Sequence, residues 1–221
     1  MPKNYWPADE IIGKTKADRK WDKLPTGKEM AETVKALEQR GIKVYVVENR
    51  QEALGRIKKL IPAKANVMNG SSTTLIEIGF TEHLESKKHG WRNLHDAVNA
   101  EEDPQSQAVL RRRALTSDYY LSGVNAIAQT GEIVAADASG SRVGAWPFAA
   151  GKLILVAGIN KIVPTLEDAL RRVREYALPL EDARAKQAYG VGSMVGKIVI
   201  IENEMMKDRT TLILVREKLG Y

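Results

Sequence analysis

The chain has 221 residues, 43% hydrophobic and 28% charged, with a formal net charge of +6 and no cysteine. Such a composition describes an ordinary folded protein and excludes disulfides, thiol nucleophiles and thiolate-held metals or clusters. No apolar run reaches the ~18–20 residues that span a bilayer, and Met1 to Lys14 has no signal-peptide core, so a cytoplasmic protein without membrane association is expected.

Residues 1–25 are polar, contain proline and carry Trp6 and Trp21 without clear periodicity. They read as an N-terminal arm packed on the rest by its aromatics, because solvated segments rarely contain two tryptophans. Residues 26–221 show no repeat or linker and read as a single domain. Met30, Val34 and Leu37 recur at helical spacing between Thr26 and Arg40, and Gly41 stops that helix. Ile42 to Glu48 is β-rich and predicts the first strand. Asn49 with Glu52 starts a helix carrying Leu54, Ile57, Leu60 and Ile61, which Pro62 ends. A short strand at Ala65 to Met68 runs into the polar loop Asn69 to Thr74 and another helix. Asp103-Pro104 starts a helix with Val109, Leu110 and Leu115, and Asp118 to Leu121 begins a strand. Asn125 to Ala128 and Glu132 to Ala135 flank Gln129-Thr130-Gly131 as a hairpin. Lys152 to Ala157 is an apolar strand leading to a helix capped by Thr165, and Lys197 to Glu202 and Thr211 to Val215 are the last strands. Strands alternating with helices and joined by a hairpin predict a layered α/β/α fold with a mixed, largely parallel sheet.

The positive charge gathers at Lys14 to Lys28, Arg111 to Arg113 and Arg171 to Arg174. The last two groups sit in helical patterns among acidic residues and read as solvated faces, without interleaved aromatics to stack on bases. An acidic small-molecule partner is expected, and no nucleic acid.

Three loops form a candidate anion pocket. In Asn69, Gly70, Ser71, Ser72 and Thr73, small residues let backbone N–H groups and hydroxyls approach a ligand ahead of a helix. Asn160 and Lys161 follow the most apolar strand, where α/β sheets gather ligands; alternatively, Asn160 only shapes a turn and Lys161 reaches to solvent. The hairpin region contributes Asn125, Thr130, Gly131, Asp137 and Arg142, the last as a fork for carboxylate or phosphate. Glu132 and Lys161 are the candidates for a catalytic base or nucleophile. Gly190 to Gly196 imitates a dinucleotide fingerprint but precedes a strand, and His83, His89 and His95 lie six apart, which suits no shared face. No metal site is expected from them, although His95 beside Asp96 remains a candidate polarised base.

Taken together, NGSSTTLIEIG (69–79), DYYLSGVNAIAQTGEIV (118–134) and VAGINKIVPTLEDA (156–169) resemble the LUD-domain family, the group that includes lactate-utilisation protein C. The closing EKLGY (217–221) is similar to the C-terminus of stand-alone members. The resemblance runs in order from about Met30 to the end. It implies a fold similar to glucosamine-6-phosphate deaminase, ribose-5-phosphate isomerase and the coenzyme A transferases, with the pocket where strand ends converge. Some stand-alone relatives carry a cysteine cluster before the last strand, where this chain has Tyr189 to Ile201 and none. No cofactor can therefore be bound through cysteine here, and a redox centre would have to belong to an iron–sulfur partner protein. The resemblance implies a component of L-lactate or hydroxy-acid utilisation. A stand-alone transferase or isomerase acting on a phosphate or acyl compound, and a non-catalytic binding or assembly protein, are the alternatives. A homo-oligomer remains open.

Overall fold

The computed structural model describes residues 8–221, so Trp6 lies outside it. Two sheets organise the chain. The larger has six strands, all parallel: β1 (Lys43–Val47), β2 (Asn66–Asn69), β3 (Arg92–Asn93), β4 (Tyr119–Gly123), β7 (Lys152–Gly158) and β10 (Thr210–Val215), in the order β1-β10-β7-β4-β2-β3. The smaller has β5 (Ala126–Ala128), β6 (Ile133–Asp137), β8 (Ile162–Val163) and β9 (Lys197–Ile201), in the order β8-β5-β6-β9. Here β5 and β6 form the expected hairpin, β9 runs antiparallel to β6, and β8 runs parallel to β5. The parallel and antiparallel pairings expected in one mixed sheet are thus divided between two.

Side-chain alternation explains the layering. Ile154 and Val156 of β7 and Ile213 and Val215 of β10 face one side of the large sheet. They pack on Ala53 and Ile57 of α3 (Arg50–Leu60), Leu75 of α4 (Thr73–Glu77) and Phe80 of α5 (Phe80–Glu85). Leu153, Leu155, Leu212 and Leu214 face the other side, against Met30 and Leu37 of α2 (Gly27–Gln39) and Ile127 and Ile133 of the small sheet. The remaining face of the small sheet, Ala126 and Val134, is covered by α1 (Ala8–Lys14) and by a long helical run beginning at α8 (Leu166–Arg172). Burying each such Leu, Ile or Val contributes about 1.5–3 kcal/mol, enough to fix strand register against a one-residue slip.

Local caps start the helices where the sequence placed them. Thr26 and Glu29 form a reciprocal capping box, Asn49 Oδ1 accepts from Glu52 N–H, and Asp103 and Thr165 cap α7 (Pro104–Ala114) and α8. Helix α6 (Leu94–Ala100) precedes α7. Between α8 and α9 (Leu178–Tyr189) the chain makes a π-helical turn, Val173–Ala177. Pro179 has no N–H to give the carbonyl of Glu175, which instead accepts from Asp18 N–H at 3.4 Å.

One expectation is extended and one is corrected. The N-terminal arm contains α1 and a 3-10 turn at Arg19–Asp22, held because Ala8, Ile11 and Trp21 are buried against the long helical run. Arg171 to Arg174 is not uniformly a solvated face. Arg172 is wholly buried; Nε donates to Trp21 O at 3.0 Å, Nη2 to Asn160 O at 3.2 Å and Nη1 to Asn125 O, so its charge is accommodated by carbonyls from three remote segments. No helix of the described residues is long and apolar enough to cross a membrane.

Candidate functional site

Strands β7, β4 and β2 are neighbours, and the segments leaving their C-terminal ends meet at a cleft of about 560 Å³. Open α/β sheets bind ligands at this place because loop backbone and helix starts converge there. Two glycines permit the convergence. A Cβ on Gly70 would overlap the Arg142 side chain, and one on Gly123 would overlap Ser72 Oγ. The opposite wall comes from Val173 and Ala177 of the π turn, from Glu181 and Arg184 of α9, from residues 191–195 and from Tyr221.

Lys161 sits on the wall of the cleft in a short turn after β7, with 3% of its surface exposed. Its Nζ donates to Thr74 Oγ1 at 2.9 Å and to Val124 O at 2.8 Å. The third Nζ position has no partner among the described residues, and no carboxylate among them lies within ion-pair distance. Burial first, and then the positive charges of Arg172 and Arg142, push its ammonium down to about 7. Lys161 therefore does not reach to solvent as the alternative reading had it.

Asn160 is buried just outside the cleft and anchors the final segment. Its Oδ1 accepts from Leu219 N–H at 3.1 Å and its Nδ2 donates to Gly220 O at 3.3 Å. Gly220 N–H donates to Glu77 Oε2 at 2.7 Å, and Tyr221 O–H donates to Glu181 Oε2 at 2.7 Å. Arg184 clasps Glu181 through Nε at 2.8 Å and Nη2 at 2.6 Å, so that carboxylate is neutralised on the cleft wall. Burial raises the carboxyl pKa of Glu77, while the positive charge of Lys161 opposes the rise.

Arg142 has a different use from the ligand fork expected. Nη1 donates to Ser122 Oγ at 3.2 Å and Gly123 O at 2.8 Å; Nη2 donates to Asn125 Oδ1 at 3.1 Å and Ala136 O at 2.5 Å. All four terminal hydrogens are committed, and Asp137 Oδ2 accepts from its backbone N–H at 2.7 Å. Arg142 thus ties the β4 end to the hairpin and lends positive field to the cleft it lines. Because Asn125 Oδ1 also accepts from Ala136 N–H at 2.9 Å, the amide NH2 of Asn125 is turned away from these bonds and has no acceptor among the described residues.

Of the residues singled out in the sequence, the structure brings Asn69, Gly70, Ser71, Ser72, Thr73, Asn125, Asp137, Arg142 and Lys161 to this cleft. Ser71 and Ser72 N–H have no acceptor among the described residues. Thr130, Gly131 and Glu132 are not brought there. They form the hairpin tip against α2, where Arg40 Nε donates to Thr130 O at 2.7 Å and Nη2 to Glu132 Oε1 at 2.5 Å. Gly131 has φ +100°, and a Cβ there would stand 2.9 Å from Ala36 O, so turn geometry and packing account for it. The placement of Glu132 provides a structural bridge and no route to a ligand in the cleft.

The sequence reading named Thr74 only as the end of the polar loop and Arg111 only within a solvated basic face, and it missed Glu77, Glu181, Arg184 and Tyr221, whose roles depend on elements far apart in the chain. His95 carried a partial signal: its Nε2 lies 3.1 Å from both Asn69 O and Asn69 Oδ1, and burial lowers its pKa. His83 and His89 instead pack around Trp91. Among the described residues, no group of three or more His, Asp or Glu side chains is arranged to hold a metal ion.

A family model described as the LUD domain matches residues 30–215. The crystal structure of a DUF162 family protein from Deinococcus radiodurans is similar with a TM-score of 0.54 over 87% of this chain and 99% of that one. The two sequences are 14% identical, so the likeness is one of fold. No curated protein matches the sequence.

Proposed function

The chain belongs to the LUD-domain family, associated in general with lactate utilisation, and on that premise we propose that its cleft binds a small carboxylate of the 2-hydroxy or 2-oxo acid type. The observation that carries this reading is Lys161: a buried ammonium with two donors satisfied and one left over, on the wall of a cleft where strand ends meet. Such a group gains most from an anion, because the third donor is desolvated without a partner. The Asn125 amide, the Ser72 hydroxyl and the N–H groups of Ser71 and Ser72 supply further donors along the same wall. Arg142 and Arg111 add positive field, while Arg184 cancels Glu181.

In this reading the protein is a component of hydroxy-acid utilisation that works with separate iron–sulfur proteins. The sequence has no thiolate to hold a cluster, and oxidising a hydroxy acid requires an electron acceptor. A thermal-shift screen of the purified protein with lactate, pyruvate, phosphate, coenzyme A and sugar phosphates tests the ligand class. Near 100 times the dissociation constant, a ligand adds about 2.7 kcal/mol, or roughly 5–10 °C for a chain of this size. Stabilisation by the short carboxylic acids is expected; stabilisation by phosphates alone would overturn the assignment.

A further inference from the structure

We propose that Lys161 forms an imine with 2-oxo acids, so that the cleft captures them covalently as well as by charge. The inference rests on the anion-binding reading above and deepens it. It begins with the four positions around Nζ. One is the bond to its own carbon, a second points at Val124 O, which only accepts, and a third points at Thr74 Oγ1. In the neutral amine both hydrogens are held by those two oxygens, and the remaining position is the lone pair. The same position that presents N–H to a carboxylate in the ammonium form presents a nucleophile in the amine form.

Lys161 is among the residues that line the cleft, so the amine is reached from there. The final segment passes beside the amine at Gly220, where a Cβ would stand 3.4 Å from Nζ and 2.7 Å from Thr74 Oγ1. Only a hydrogen occupies the space. The donors that would hold a carboxylate, Asn125 Nδ2 and the Ser72 hydroxyl, come from the segments next to Val124 and Thr74, both bonded to Nζ. A 2-oxo acid has its carbonyl carbon directly attached to the carboxylate, so a carboxylate held there sets the carbonyl against the amine. Burial favours the free amine near neutral pH, which makes it a nucleophile under ordinary conditions.

The step balances without an oxidant or reductant. The Nζ lone pair forms a bond to C2, and the carbonyl π pair moves to oxygen, which takes a proton relayed from nitrogen. The carbinolamine then expels that oxygen as water. Overall the water carries the carbonyl oxygen and the two amine hydrogens, and a C=N bond replaces C=O. Thr74 Oγ1, 2.9 Å from Nζ, is placed to relay the proton.

The test is reductive trapping: the full chain is incubated with pyruvate and cyanoborohydride, and modified residues are mapped by peptide mass spectrometry. Lactate, which has no carbonyl, serves as a competitor that cannot react. The expected result is one reduced adduct per chain, on Lys161 ahead of every other lysine, formed faster as pH rises from 6 to 8, slowed by lactate and lost in Lys161→Arg. Label spread over surface lysines, while pyruvate still raises the melting temperature, would overturn the imine and leave the anion site standing. Neither label at Lys161 nor stabilisation by pyruvate or lactate would overturn both. Mapping on the wild-type chain decides the matter even if Lys161→Arg fails to fold.

Discussion

Lys161 Nζ donates to Thr74 Oγ1 at 2.9 Å across 87 positions of sequence. The bond joins the turn after β7 to the helix after β2, and it means that this amine is buried against a hydroxyl and a carbonyl. Neutral acceptors offset the desolvation of a charge less completely than a paired carboxylate does. The chain therefore carries a destabilising group where a ligand would be held, as expected of a binding site.

Lys161→Met should consequently stabilise the folded chain. Replacing the buried charge by an apolar side chain gains about 1–4 kcal/mol, and two lost hydrogen bonds return about 1 kcal/mol each, so the gain reaches at most about 2 kcal/mol. The folded-state pKa of about 7 lies below the ordinary lysine value of 10.5, so the unfolded chain holds the extra proton between those values. Wild-type stability rises with pH through that window, and the advantage of the variant is largest below it. Denaturant titrations near pH 6 and pH 9 check both the sign and the trend.

Glu77→Gln keeps an acceptor for Gly220 N–H but removes the negative charge that supports the Lys161 ammonium. Carboxylate binding should then be lost at lower pH than in the wild type, because the lysine deprotonates earlier. Affinity for lactate measured across pH on both proteins reads the shift; superimposed profiles would remove Glu77 from the account.

Gly220→Ala should weaken both the fold and the site. Its φ of +56° and a Cβ 2.7 Å from Thr74 Oγ1 together cost about 1–3 kcal/mol. Gly190→Ala serves as the comparison, since φ is +74° there with nothing within 4 Å. It should show the backbone cost alone and leave binding unchanged. Melting temperature and lactate affinity together separate the two effects.

Glu132→Gln should leave lactate binding intact while loosening the bridge between the hairpin tip and α2. The carboxylate is 12% exposed and its Arg40 partner 24%, so the loss is about 1 kcal/mol. A binding defect with unchanged stability would return Glu132 to the site.

The parts legible in the sequence are those set by neighbours in the chain. Thr26 with Glu29, Asn49 with Glu52 and Asp103 with Pro104 marked their helix starts, and Gly131 marked the hairpin. The position of Lys161 after the most apolar strand placed it in the crevice region, and the structure puts it on the cleft wall. The remainder depended on distant partners. Helix α1 is short and gains its order from Ala8 and Ile11 packing on the helical run. Strand β8 has only two residues and is defined by pairing with β5. Arg172 looked solvent-facing because its three carbonyl acceptors lie in segments no local pattern connects. Arg142 suited a ligand fork by residue type, yet backbone carbonyls and Asn125 already occupy its hydrogens. Glu77 and Gly220 are brought near Lys161 through the final segment, which Asn160 anchors after β7.

Calorimetric titration of L-lactate and pyruvate into the wild-type chain and Lys161→Met, near pH 6.5, tests the central claim most directly. Loss of a charge-assisted contact worth about 1–3 kcal/mol predicts roughly 5- to 150-fold weaker binding in the variant, with the fold intact or more stable. Equal affinity in the two proteins, or binding by neither, would contradict the assignment of this cleft to a small carboxylate held by Lys161.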